Sequence, residues 1–190
     1  MPVERKLITA DELLRLPDDG TRHELIDGEL RTMAPAGGPH GRDANRISLP
    51  LNLHIYTHDL GEGFTAETGF LLLRDPDRVR APDFAFIRAE RLPSEGLPPG
   101  YVPIAPDLVV EVVSPGDAAG DVREKIQDWL RFGARAVWVV YSGPRLDAYL
   151  ADGSVLAYGP DDEIDGGQAL PGFRMLLRDL LRPAAHSSPP

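Results

Sequence analysis

The chain has 190 residues, 42% hydrophobic and 26% charged, which suits one globular domain that buries roughly 70% of its unfolded surface. It contains no cysteine, which excludes disulfides, thiolate metal sites and cysteine nucleophiles together. A net charge of −10 argues against a general nucleic-acid binder, because phosphate contacts need clustered cations, yet leaves room for an enzyme with a local basic rim.

Taken in chain order, Thr9 reads as a helix N-cap with Glu12 at the capping-box position, opening a short helix to about Leu16. Asp27-Gly28 is a two-residue hairpin turn between His23–Ile26 and Glu29–Met33. Ala36 to Pro39 is a loop. From His40 to about Asp59, Ile47, Leu51 and Ile55 recur at helical spacing, and Pro50 predicts a kink or break there. Phe64 to Leu73 and Ala81 to Ile87 read as strands, separated from the next by a proline-rich loop over residues 90–103. Leu108 to Val113 is apolar on both faces and so central to a sheet. Asp121 can cap a helix to about Phe132, stopped by Gly133. Ala136 to Tyr141 is a second buried strand, followed by two edge strands near 145–150 and 154–158. Leu170 to Leu181 packs as a last segment. We expect one domain over residues 1–182 and a disordered tail over 183–190. No apolar run approaches the roughly 20 residues of a membrane span and the N-terminus lacks a signal core, so the expected location is the cytoplasm.

Three residues stand out chemically. Glu111 shares its strand face with Val109 and Val113, where a carboxylate is costly unless a cation or donors meet it. It is either a functional acid or half of a structural ion pair. Asp83 follows Pro82 at the start of a strand, where it can serve a site or simply begin the strand. Only two of the 20 basic residues are lysines, Lys6 and Lys125. Lys125 sits at the border of the stripe formed by Val122, Ile126, Trp129 and Leu130, so its stem can lie on apolar surface while the ammonium reaches past the sheet. A helix pair with Asp121 is the plainer alternative. Together, two acids able to hold Mg²⁺, with the Val112 carbonyl as a third oxygen, and a lysine able to orient a water make a phosphodiester-cleaving set.

Pro82-Asp83 and then Glu111 in an apolar strand resemble the PD-(D/E)xK nuclease superfamily. More specifically, residues from about His23 to Leu181 resemble the Uma-two family of restriction-endonuclease-like proteins. The likeness is carried by Glu24-Leu-Ile-Asp-Gly-Glu29, Ala81-Pro-Asp83, Pro106 to Pro115, Asp121-x-x-x-Lys125, Gly133, Val137-Trp-Val-Val140 and Leu170-Pro-Gly-Phe173. The resemblance implies an α/β fold of restriction-endonuclease-like type: a mixed central sheet flanked by helices, with an extra N-terminal hairpin and C-terminal edge strands. It implies an endonuclease acting on DNA with Mg²⁺ or Mn²⁺, with Asp83 and Glu111 as metal ligands, Lys125 as the catalytic lysine and Glu24 as a supporting acid. A homodimer would let two such sites face one duplex. The rival expectation is a non-catalytic regulatory or interaction module on the same fold.

Two departures from the family pattern matter. Trp129 stands where a tyrosine is usual, which reads as a packing substitution. Tyr141 stands where an aspartate commonly ends the strand, which removes a polar partner. His40 matches a histidine often seen at that helix start, able to contact a phosphate, donate to Glu24 or pack. His54-x-x-x-His58 has metal-ligand spacing but no glutamate and no evident third ligand.

Overall fold

A computed structural model describes residues 7–17 and 20–181, so the expected tail over 183–190 lies outside the described residues. The chain opens with helix α1 (Ala10–Leu13), where Thr9 and Glu12 form the reciprocal capping box. The hairpin β1 (Arg22–Ile26) and β2 (Glu29–Met33) turns at Asp27 and Gly28, both at positive φ (53° and 78°), as the right-handed twist of paired strands requires.

Helix α2 (Gly38–Thr57) follows. It runs through Pro50 without the expected break: proline removes one N–H, and buried Ile47, Leu51 and Ile55 hold the helix to the core on both sides of it. The expected single strand over Phe64–Leu73 is two, β3 (Gly61–Thr65) and β4 (Phe70–Leu73), which belong to different sheets. Glu67 at φ 77° turns the chain between them. The strand expected over Ala81–Ile87 begins only at Phe84, as β6 (Phe84–Arg88); ahead of it β5 (Arg78–Arg80) ends before Pro82, which has no N–H for a ladder.

Next come β7 (Leu108–Val113), α3 (Ala119–Arg131), β8 (Ala136–Tyr141), β9 (Arg145–Leu150) and β10 (Val155–Tyr158). The cap of α3 is Ala118, not Asp121; Asp121 lies in the first turn, where its charge suits the helix dipole. A small pair, β11 (Glu163–Asp165) and β12 (Arg174–Leu176), leads into α4 (Leu177–Leu180).

The main sheet has the order β10-β9-β8-β7-β6-β3, so β9, expected at an edge, is interior. Only β7 and β8 within it pair in parallel, and α3 is the crossover such a pair needs. A second sheet has the order β2-β1-β5-β4. One face of the main sheet packs Phe84, Phe86, Leu108, Val110 and Trp138 against α2 and the C-terminal segment. The other packs Ala85, Ile87, Val109, Val137 and Val139 against Ile126 and Trp129 of α3. At the start of β7, fully buried Asp107 gathers Arg88, Arg91 and Arg135, and also takes the backbone N–H of Arg88. Among the described residues no helix is long and apolar enough to cross a membrane.

Candidate active site

The register of β6 and β7 joins the two acids. Phe84 lies across from Val110 and Ala85 across from Val109. One step further would set Asp83 across from Glu111, and directly opposed residues of antiparallel strands keep Cβ atoms about 4.5–5.5 Å apart. Asp83 Oδ2 accepts the Val112 N–H at 2.7 Å, satisfying an edge that β6 no longer covers. The N–H and C=O of one residue in an extended strand point to the same edge, so the Val112 carbonyl faces the same opening.

Glu111 is 6% exposed and both its oxygens are engaged. Oε1 accepts the Trp129 indole N–H at 2.8 Å, and Oε2 accepts from the Lys125 ammonium at 3.2 Å. Trp129 therefore does more than fill space: it hydrogen-bonds the central acid, a role the sequence reading missed. Lys125 Nζ also stands 3.6 Å from Glu24 Oε1. Thus Lys125 crosses to the acids of β7 and β1, and not to Asp121.

Glu24 is held from behind. Arg80 Nη1 donates to its Oε2 at 2.8 Å, and the Ala81 N–H donates to its Oε1 at 3.0 Å. Arg80 is fixed in turn by Asp128, which accepts from its Nε at 2.8 Å and its Nη2 at 2.6 Å, and also from Arg78. Arg80 and Asp128 carried no role in the sequence reading. The available signal was an acid three residues after Lys125, bordering the same apolar stripe.

His40, on the first turn of α2, points its Nε2 at Asp83 Oδ2, 3.2 Å away, and not at Glu24. Tyr141 lies outside the cavity lining. His54 and His58 bond the carbonyls of Pro171 and of His54 itself.

The electrostatics follow from this crowding. Burial pushes the Glu111 carboxyl up, and Asp83 and Glu24 add to the rise, against the opposing pull of Lys125 and the Trp129 N–H. For Lys125, burial acts to lower the ammonium, but Glu111, Glu24 and Asp83 outweigh it and hold it above the usual lysine range. Lys125 is thus a fixed cation at neutral pH and no proton acceptor. The hydrogen bond to Asp83 is the largest effect on His40 and raises it.

A cavity of about 510 Å³ opens over these groups, lined by Arg22, His40, Asp83, Glu111, Val112, Asp117 and Lys125 among others. The oxygens there that could meet a cation are those of Asp83 and Glu111 and the Val112 carbonyl. This all-oxygen set fits Mg²⁺ or Mn²⁺, which keep several waters. Among the described residues no cluster of three His, Asp or Glu side chains could hold an ion alone, so water would have to complete the shell.

Comparison with known proteins agrees with this architecture. The family model described as "Uma2: Putative restriction endonuclease" matches residues 10–179, and the chain belongs to that family. A crystal structure described as a "putative nuclease belonging to DUF820 from Anabaena variabilis" superposes with a TM-score of 0.79, covering 92% of this chain and 97% of that one at 21% identity. That likeness is one of fold. No curated protein matches the chain.

Proposed function

We propose that this member of the Uma2 family is a metal-dependent endonuclease that hydrolyses phosphodiester bonds of DNA. The observation that carries the reading is the meeting of Asp83, just ahead of β6, Glu111 of β7 and Lys125 of α3 at the wall of one cavity. Family membership supports a nuclease-like activity.

In this reading Asp83, Glu111 and the Val112 carbonyl hold Mg²⁺ or Mn²⁺. Such an ion polarises a scissile phosphate and acidifies a water. The chain's own residues do the rest. The Val112 N–H and His40 both bond Oδ2 of Asp83, which fixes that carboxylate while neither contact uses Oδ1. Lys125, permanently charged, donates to the attacking water or to the oxygen where negative charge grows. Glu24 keeps the ammonium beside Glu111, with Arg80 behind it. The water must lose its proton elsewhere than to Lys125. All these residues come from one chain, so one copy suffices to cut one strand; a homodimer would present two sites to a duplex.

A second reading has one observation behind it. Both Glu111 oxygens already have partners, as in a self-satisfied charge cluster of a non-catalytic module. Plasmid nicking with Mg²⁺ or Mn²⁺ separates the two, comparing the wild type with Asp83→Ala and Lys125→Ala. We expect nicking by the wild type alone, abolished by EDTA. Equal nicking by all three proteins would show a contaminant, and no nicking by any would leave the non-catalytic reading.

A further inference from the structure

Among the described residues, each buried or half-buried arginine has a carboxylate partner, with one exception. Arg46 meets Asp43, Arg78 and Arg80 share Asp128, and Arg88 and Arg91 meet Asp107. Arg22 is half-buried, pairs with no carboxylate, and its Nε is buried without a hydrogen-bond partner. An unpaired buried donor costs free energy unless water or a ligand meets it. Arg22 also lines the cavity that holds the acids.

Its placement is set by β1. Residues two apart on a strand share a face, so Arg22 lies on the face of Glu24, whose carboxylate reaches Lys125. Arg22 acts on the His40 ring as a nearby like charge, which places it by the first turn of α2. Asp117 lines the same cavity, yet its carboxylate takes the Ser114 N–H at 2.8 Å and leaves the guanidinium alone. Lys125, by contrast, is committed to Glu111 and Glu24. Beside the one remaining N–H of Lys125, Arg22 therefore carries most of the spare donor capacity among the cavity cations, on a body that is otherwise strongly acidic.

We propose that Arg22 is the substrate-phosphate ligand of this site, its guanidinium donating to non-bridging oxygens of a phosphate on the strand that enters the cavity. The planar fork of arginine matches phosphate geometry as an ammonium does not. This assignment rests on the reading of the cavity as a phosphodiester site. Lys125 then faces the growing charge while Arg22 fixes the strand, so the two cations divide chemistry from grip.

The test measures binding and turnover separately. Anisotropy of a labelled DNA duplex in EDTA gives Kd at several salt concentrations, and cleavage in Mg²⁺ gives KM and kcat. Wild type is compared with Arg22→Ala, Arg22→Lys and Arg178→Ala, the last making the same charge change outside the cavity lining. We expect Arg22→Ala to raise Kd and KM about tenfold with little change in kcat and to lower the salt slope by about one. Arg22→Lys should lose about threefold, keeping the charge without the fork, and Arg178→Ala should match the wild type. Wild-type Kd, salt slope and KM in Arg22→Ala would overturn the assignment while leaving the nuclease reading intact. Weakened binding in Arg22→Ala with no cleavage by any protein would support Arg22 and remove the catalytic reading. A wild type that neither binds nor cleaves DNA overturns both. Should Arg22→Ala fail to fold, Arg22→Lys decides: a raised KM supports the assignment and an unchanged one refutes it.

Discussion

Replacing Asp128 by Asn tests the charge cluster behind the site without changing its shape. Asp128 is 3% exposed and accepts two hydrogen bonds from Arg80 and one from Arg78. Asparagine keeps one acceptor, loses the charge and turns an NH₂ toward one of the two guanidinium groups. Breaking a buried ion pair from one side costs about 3–5 kcal/mol. Here Arg80 retains Glu24 and Arg78 retains Asp27, the latter at 2.8 Å, so the lower end, about 3 kcal/mol, is expected. For a chain of this size that is a fall in Tm of about 6–12 °C. Urea unfolding with calorimetry measures it. Glu163→Gln serves as the reference, because Glu163 and Arg174 are both largely exposed and such a pair contributes at most about 1 kcal/mol. A loss in Asp128→Asn no larger than in Glu163→Gln would show that the cluster is screened like a surface pair, and the argument that it props Glu24 would fail with it.

Three further outcomes are expected. Trp129→Phe keeps an aromatic ring but removes the N–H that Glu111 Oε1 accepts; stability should drop by at least about 1.5–3 kcal/mol, since the smaller ring also leaves space in the core, and the Glu111 carboxyl should titrate still higher, as read by carboxylate NMR. Gly28→Ala places a Cβ at φ 78°, where it also meets the Leu7 Cβ at 3.1 Å, and should cost about 1–2 kcal/mol in chemical unfolding; a neutral result would mean the hairpin turn relaxes. For Lys125→Met the sign is set by the raised folded-state value of the lysine. The wild type's stability advantage should be level from neutral pH to about 10.4, the unfolded value, and decline only as pH rises beyond it toward the folded one. An advantage that already falls between pH 8 and 10 would contradict the ion-pair geometry.

The central strands and the hairpin were legible because their signals are local: runs of valine, and Asp27-Gly28 at positive φ. Glu111 was legible as an acid on an apolar face and Lys125 as a rare lysine at the border of a helix stripe, whereas Glu24 was named only through the family's order of motifs. What the sequence hid is what strand pairing decides. The split of Phe64–Leu73 between two sheets follows from pairing with β6 on one side and β5 on the other, which no run of ten residues records. The Asp83–Glu111 meeting is likewise a matter of register. Asp128 escaped notice because charged residues bordering a helix stripe usually lie in water, and Arg80 because nothing local marks a three-residue strand; the two are buried against each other where β5 meets α3. Arg22 looked like one arginine among many until its neighbours were seen to lack a carboxylate for it.

Asp107 lies four residues before Glu111 and takes part in no chemistry, yet it acts on fidelity. A slip of β7 by one residue would turn Glu111 from the α3 face to the α2 face, stranding a carboxylate among Ile47, Leu51 and Phe173 and emptying the cavity wall. Valine-rich strands carry little information against such a slip, since either face accepts them. Asp107 supplies it: only one alignment brings its carboxylate to Arg88, Arg91 and Arg135 at once. A slipped strand would leave this carboxylate buried without its three guanidinium groups, and that cost marks the native alignment at the far end of the strand from the site.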